Sequence, residues 1–435
     1  MRSRNIHWLT QVAFGTLTAA SLLLAARPGA AVGTQRIELR SGDDFKGGEL
    51  QGVSVDSNGK LRAGFNLGSV PLADATSIWS ALVQKDGSVL LGTGDEGRLY
   101  KYANGNTTLL AEAKGMTLSA LAEAFGGNVI VGSIASGTLM RWQGGKLSDF
   151  SKLPGVDHVY CLAYDAKAKV LYAGTGPEGK LFRISANGDA QVYFDAEEQH
   201  LVSVAVGHNG QVFAGASDKA RLYSITGPGR ASVLYDFGRT EVRAVAVAPN
   251  DEVYAIANEI KQEARPSERR PGQRDSAVPV AAAAPAKGKG TLYRFSSAGV
   301  PEELIDDGDD YFVSLVLGDD NRPYVGSGVE GRVYTVSDSH AVILLADTSE
   351  RQVTALALSG AQRFVFSSDP AVIHPVRGMG GADAVWTSKP MDLQLRAKFG
   401  RMSWLASGKV ELSTRSGNTS DPDKTWSDWS APLTD

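Results

Sequence analysis

One spacing governs what this chain can fold into. An apolar strand ending in glycine, a turn, a second glycine, a basic residue or Thr, and an apolar pair recur along it. The copies read VLLGTGDEGRLYKY from Val89, VIVGSIASGTLMRW from Val129, LYAGTGPEGKLFRI from Leu171, VFAGASDKARLYSI from Val212 and PYVGSGVEGRVYTV from Pro323. The strand-ending glycines are Gly92, Gly132, Gly174, Gly215 and Gly326; Ile256 and Ser367 take that column in two degenerate copies, and the steps are 40, 42, 41, 41, 70 and 41 residues. A second column of small-then-large pairs precedes it: Ala81-Leu82, Ala120-Leu121, Cys161-Leu162, Ser203-Val204, Ala244-Val245, Ser314-Leu315 and Ala355-Leu356, with steps of 39, 41, 42, 41, 70 and 41. Two columns with one period define seven repeats and leave about 29 extra residues in the fifth.

A period near 41 with strand-like alternation means one four-stranded sheet per repeat. The expected fold is all-β: a seven-bladed β-propeller of four-stranded blades, followed by a short, incomplete β-sandwich segment. Blades converge at the axis, so the innermost strand needs small side chains on one face. The Ala/Ser/Cys column meets that need, and Cys161 reads as a buried small residue rather than a reactive thiol. In the first repeat the strands fall near 79–84, 88–92, 98–102 and 107–111. Turns such as Lys85-Asp86-Gly87-Ser88 and His208-Asn209-Gly210-Gln211 carry the Asp/Asn-Gly chemistry of tight hairpins, which also accounts for 49 glycines.

The flanks read differently. Arg2 and Arg4, the apolar run Val12–Ala26, then Arg27-Pro28-Gly29 and small residues lay out a signal peptide over residues 1–33. The run is short for a membrane span, no stable span is expected after cleavage, and the location implied is periplasmic or secreted. The net charge of −4, about −7 without that segment, gives no footprint for nucleic acid. With Cys161 alone, no intramolecular disulfide can form. Residues 45–65 read as a hairpin turning at Ser57-Asn58-Gly59 that closes the ring against the last blade. The propeller is expected over 34–378, with a disordered insertion at 260–290 in blade five, rich in Pro, Ala and charge. Residues 379–435 read as a partial β-sandwich with strands at 384–387, 400–405 and 410–415, or a C-terminal extension, in a chain that is a piece of a longer protein.

The opening DDFKGGELQGVSVDSNGKLRAG, the repeated glycine units and the tail VELSTRSGNTSDPDKTWSDWS together make nearly all of the chain after residue 33 resemble exported bacterial β-propeller proteins of the WD-repeat, YVTN and NHL-like superfamily. The resemblance implies an architecture and leaves activity open, because propellers host many unrelated functions.

Gly92–Gly97, Gly174–Gly179 and Gly326–Gly331 match G-x-G-x-x-G, but a strand follows each instead of the helix a dinucleotide needs, so they are turn glycines. Three residues before the small column stand Ile78, Thr117, His158, His200, Glu241, Tyr311 and Gln352, with Asp310 beside Tyr311. In a propeller they ring one channel mouth. His158, His200, Glu241, Asp310, Tyr311 and Gln352 are therefore the candidate ligand-binding residues; solvated loop ends are the bland alternative. His158, His200 and Glu241 are also the candidate ligands for a divalent metal such as calcium or zinc, although no cofactor is expected. The acidic runs at Asp306–Asp310 and Asp421–Asp423 read as solvated turns, and Trp426-Ser427-Asp428-Trp429-Ser430 as structural tryptophans. No catalytic residue is assigned. The leading expectation is a monomeric binding or scaffolding propeller for an envelope or extracellular protein, peptide or glycan. The alternatives are a metal-dependent hydrolase or lactonase at the channel mouth and a structural component of an envelope assembly.

Overall fold

Five of the repeats begin as a hairpin whose turn is locked by a short acceptor side chain: Asp86, Asp165, Asn209, Asn250 or Asp320. Asp86 Oδ1 accepts the Ser88 amide at 2.9 Å, and Asn209 Oδ1 accepts that of Gln211 at 2.9 Å. Gly87 and Gly210 supply the positive φ, 80° and 81°, that such turns require. The first repeat then runs antiparallel through Ile78–Val83, Val89–Thr93, Arg98–Ala103 and Asn106–Glu112. The same order recurs through Thr117–Lys152, His158–Asp195, Leu201–Asp236, Glu241–Asp307, Phe312–Asp347 and Gln352–Met379. A single pairing, Ile134↔His158, joins the second and third of these into one eight-stranded sheet. The computed structural model describes residues 36–94, 97–261, 287–382, 384–394 and 400–434. Arg36–Leu39 belong to a separate unit, and the unit that holds every repeat starts at Arg40. The architecture of the latter is all-β and arranged as a β-propeller.

The innermost strands are built alike. Each carries a register shift at the same place, between Ile78 and Ser80, Val159 and Cys161, Leu201 and Ser203, Val242 and Ala244, Phe312 and Ser314, and Val353 and Ala355; in the second repeat it lies between Thr117 and Ala120. Just before the bulge sits an apolar residue with 0% exposure in every repeat: Ile78, Leu118, Val159, Leu201, Val242, Phe312 and Val353. Burying each is worth about 1.5–3 kcal/mol. The glycine column lets this residue in from the next repeat. A Cβ on Gly132 would lie 2.8 Å from Val159 Cγ1, and one on Gly215 2.7 Å from Val242 Cβ.

The carbonyls of this apolar column are also tied. Ser80 Oγ donates to Leu118 O at 2.8 Å, Ser119 Oγ to Val159 O, and Cys161 Sγ to Leu201 O at 3.8 Å. Ser203 Oγ donates to Val242 O at 2.8 Å, Asn258 Nδ2 to Phe312 O at 2.8 Å, and Ser314 Oγ to Val353 O at 2.7 Å. Thr354 Oγ1 then returns to Ile78 O at 2.6 Å, linking the last repeat to the first. Ser80, Cys161, Ser203 and Ser314 thus make the small column a source of donors as well as a steric allowance; where it holds Ala120, Ala244 or Ala355, the donor is Ser119, Asn258 or Thr354 instead, and Cys161 is only partly buried.

Several expectations are corrected. In the first and last repeats the register lies one residue earlier: Ser80, not Ala81, faces Gly92, and Phe366, not Ser367, faces Ala355. Ser80 and Ala81 are both small, as Ser367 is beside Phe366, so side-chain size alone points to the wrong neighbour in these two repeats. The hairpin Val53–Asp56/Leu61–Ala63 turns as expected but pairs with Val342–Asp347 in the sixth repeat, through Val55↔Leu344. The following residues, Phe65–Leu67 and Val70–Pro71, supply the missing outer strand against Val372–Met379. Gly64 permits the step between the two sheets, since a Cβ there would stand 2.3 Å from Val53 O. The closing strand is held by His374, buried between two acceptors: its Nδ1 faces Gly68 O at 3.0 Å and its Nε2 faces Glu350 Oε2 at 2.9 Å.

In the fifth repeat, Val253–Lys261 and Lys287–Phe295 stay paired out to Lys261↔Lys287, so residues 260–261 and 287–290 of the expected insertion are strand. Residues 262–286, like the signal-peptide reading of 1–33, lie outside the described residues. The expected C-terminal sandwich is not present among the described residues. Val385–Thr387 pairs instead with Glu49–Gln51, where Trp386 packs edge-on to Phe45 at 4.9 Å. No strand runs through 400–405 or 410–415; beyond Gly400 one bridge, Leu412↔Leu433, stands alone and most side chains are exposed. With no second layer to cover them, these residues bury nothing that would hold a sheet.

Candidate functional site

The register of the inner strands decides which residues share a column. Shifting the first repeat by one residue puts Ser77 in the column with Thr117, His158, His200, Glu241, Tyr311 and Gln352, and moves Ile78 into the buried apolar column. The bulged residues themselves, two positions later, are Trp79, Ser119, Tyr160, Val202, Arg243, Val313 and Thr354. Sequence reasoning missed these, because the extra residue is a tertiary feature of strand pairing. Trp79 is 41% exposed, and its indole Nε1 donates to Ser77 Oγ at 3.0 Å.

The structure joins some of the expected residues and separates others. His158, Tyr160 and His200 form a contiguous aromatic step. The ring centroids are 5.8 Å apart from His158 to Tyr160 and 5.5 Å from Tyr160 to His200, and the Tyr160 hydroxyl lies 3.2 Å from His200 Nδ1. Gly176 makes room for it, since a Cβ there would stand 2.2 Å from His200 Nδ1. The Ala135 amide donates to His158 Nδ1 at 3.3 Å. Burial pushes the Tyr160 hydroxyl pKa up, and the nearby Asp218 carboxylate adds to the rise. Gln352 Nε2 donates to the Tyr311 hydroxyl at 3.2 Å, a second pair from consecutive repeats.

Glu241 is committed differently. Its Oε1 accepts from Asn258 Nδ2 at 2.9 Å, and the buried Asn258 also spans the Phe312 amide and carbonyl. Among the described residues no three His, Cys, Asp or Glu side chains stand close enough to hold a metal ion. The structure therefore links His158 to His200 through Tyr160 and leaves Glu241 with its own partner. Asp310 and Tyr311 are both buried, at 2% and 7% exposure, and Asp310 Oδ1 accepts the Gly328 amide at 3.3 Å. Burial first, with Asp307 and Glu330 adding, pushes its carboxyl up to about 6.

The acidic runs are used locally. Asp307 pairs with Lys46 at 2.8 Å and Asp306 with Lys289 at 2.9 Å, while Asp423 accepts the Thr425 amide at 2.8 Å. Near the C-terminus Arg415 lies 4.6 Å over the Trp429 ring and 5.6 Å over that of Trp426.

No protein-family model matches the chain, and no curated protein is similar to it in sequence. Solved structures are similar in fold. Virginiamycin B lyase from Staphylococcus aureus aligns at a TM-score of 0.56 and 12% identity, over 73% of this chain and 99% of that one. The WD40 β-propeller domain of Doa1 aligns at 0.53 and 12% identity, over 72% and 97%. Hydrazine synthase from Kuenenia stuttgartiensis aligns at 0.52 and 12%, over 69% and 96%. At such identities the shared property is the propeller, which serves an enzyme in one case and a WD40 domain in another.

Proposed function

We propose that this chain is an exported binding or scaffolding module, a seven-bladed propeller whose mouth at the inner-strand starts recognises a protein, peptide or glycan. The carrying observation is the contrast within each inner strand. The apolar column is uniformly buried and hydrogen-bonded from repeat to repeat, while its neighbours at the mouth differ along the ring: Ser77, Thr117, His158, His200, Glu241, Tyr311 and Gln352. A rigid wall presenting a chemically varied rim is what recognition needs, and it asks nothing of a catalytic group. The return hydrogen bond from Thr354 to Ile78 supports the count of seven, since each repeat is then tied to the next around the ring.

Export is supported by the charge and apolar layout of residues 1–33, and no described helix is long and apolar enough to cross a membrane. Fusing residues 1–33 to a reporter active only outside the cytoplasm should give signal; a silent, stable fusion overturns the export reading. For recognition, the purified protein and its Trp79→Ala/His200→Ala variant would be immobilised and exposed to a glycan array and to envelope peptides. The expected result is ligand retained by the parent and lost by a variant of unchanged thermal midpoint. Equal retention by both would move recognition away from this mouth.

A further inference from the structure

The third and fourth repeats enclose between them a cavity of about 620 Å3 that none of the rim residues lines. It lies at the other end of the strands: Asp165 closes the inner strand that His158 opens, and Arg230 opens the outer strand of the fourth repeat. Within the third sheet Tyr172 pairs in register with Arg183, and the Tyr193 ring packs on that of Tyr172 with centroids 5.1 Å apart. The Gly229 amide donates to Tyr193 O at 2.8 Å, which fixes the turn of the fourth repeat against the outer strand of the third. That bond sets Arg230 beside the two tyrosines. Gly227 leaves room for its guanidinium, since a Cβ there would stand 2.5 Å from Arg230 Nη2.

Three cations line this cavity, Lys167, Arg183 and Arg230, against one acid, Asp165. Among the described residues none of the three has a carboxylate at ion-pair distance, whereas Arg221 on the fourth sheet is paired with Glu197, Glu198 and Asp236. Asp165 is buried, and its Oδ1 already accepts the Lys167 and Ala168 amides at 2.9 and 2.8 Å. Burial, with Tyr193 adding and Arg183 opposing, pushes the Tyr172 hydroxyl up to about 12, so it stays a donor at neutral pH. Three positive charges against one favour an anion with more than one charge, and two guanidinium forks suit oxygens grouped on a single atom. A phosphate monoester carries that charge at neutral pH. The volume is that of a small-molecule site and exceeds what phosphate alone would fill. Tyr172 and Tyr193 are 4% and 9% exposed, so they offer polar edges for hydroxyl groups and no open face on which a base could stack.

We propose that this cavity is a second binding site, for a small sugar phosphate held by Lys167, Arg183 and Arg230. It goes beyond recognition at the rim and does not depend on it. Calorimetry on the purified protein would compare glucose 6-phosphate with glucose, inorganic phosphate and adenosine monophosphate. Glucose 6-phosphate should bind about 10-fold or more tighter than each of the others, the usual weight of one charge-assisted contact. Lys167 and Arg230 are exposed, so Lys167→Met and Arg230→Met should each weaken it about 10-fold at an unchanged thermal midpoint. The Trp79→Ala/His200→Ala variant should bind it as the parent does. Glucose binding as tightly as its phosphate, no binding of glucose 6-phosphate, or full affinity in both Met variants would overturn the site. Inorganic phosphate or adenosine monophosphate binding as tightly would overturn the sugar phosphate as its ligand.

Discussion

Two columns, a wall and a rim, lie on the same inner strands, one residue apart, and obey opposite rules. On the wall, Ile78, Leu118, Val159, Leu201, Val242, Phe312 and Val353 are all apolar and all fully buried. On the rim the same strands offer hydroxyls, imidazoles, a carboxylate, a phenol and an amide. The wall must match its neighbour at every step, because a Gly column faces it at van der Waals range and a donor ties its carbonyl. The rim residues have neighbours of different kinds, Gly176 beside His200 and Asn258 on Glu241, and differ accordingly. Shape is therefore held by the repeated part of the molecule and chemical identity by the unrepeated part.

That contrast can be broken most sharply at Phe312, the largest wall residue. Phe312→Ala should lower stability by about 3–5 kcal/mol in denaturant titration, and a loss below about 1 kcal/mol would mean the wall is not the stabilising element. The next effect is of opposite sign. Asp310 is buried with its carboxyl pushed up to about 6, so between the ordinary Asp range and pH 6 the folded state binds more protons than the unfolded one. Its contribution to stability therefore falls as pH rises through that window. Asp310→Asn should stabilise the protein at about pH 7 by about 1–3 kcal/mol and flatten the pH slope from about 4 to 6. An unchanged slope in urea titrations across that range would show that another group sets it.

The inter-repeat ties come third. Ser203→Ala removes the bond to Val242 O and should lower the midpoint by an amount equivalent to about 1 kcal/mol. A neutral result would reduce the small column to its steric role. The smallest effect belongs to the rim. Tyr160→Phe removes only the hydroxyl near His200 Nδ1 and should stay within about 0.5 kcal/mol of the parent in the same titration. A larger loss would make Tyr160 part of the wall.

These cases show how far the residues can be read unaided. The period near 41 locates the inner strands because strand length, turn chemistry and the glycine column are local signals. His158 and His200 share a column because their repeats carry regular spacing, and the structure joins them through Tyr160. Ile78 is misplaced by one residue because Ser80 and Ala81 are both small, and only strand pairing shows that Ser80 is the one opposite Gly92. Tyr160 and Trp79 escape notice because a bulge adds a residue to one strand without changing the periodic pattern. Asp310 looks like a rim residue because its run of acids is hydrophilic; only packing against Gly290 and Gly328 shows it inside.

By itself, then, the sequence determined the repeating sheet, its inner strand and the face carrying the varied residues, since each follows from side-chain size and turn chemistry within one repeat. Tertiary structure alone decided how the ring closes. The hairpin at Val53–Ala63 joins the sixth repeat and Phe65–Pro71 completes the seventh, because pairing depends on which sheet edge lies open within reach, and no local pattern records that. It likewise decided that Glu241 belongs with Asn258, because partners more than a few residues apart are chosen by the geometry of neighbouring strands.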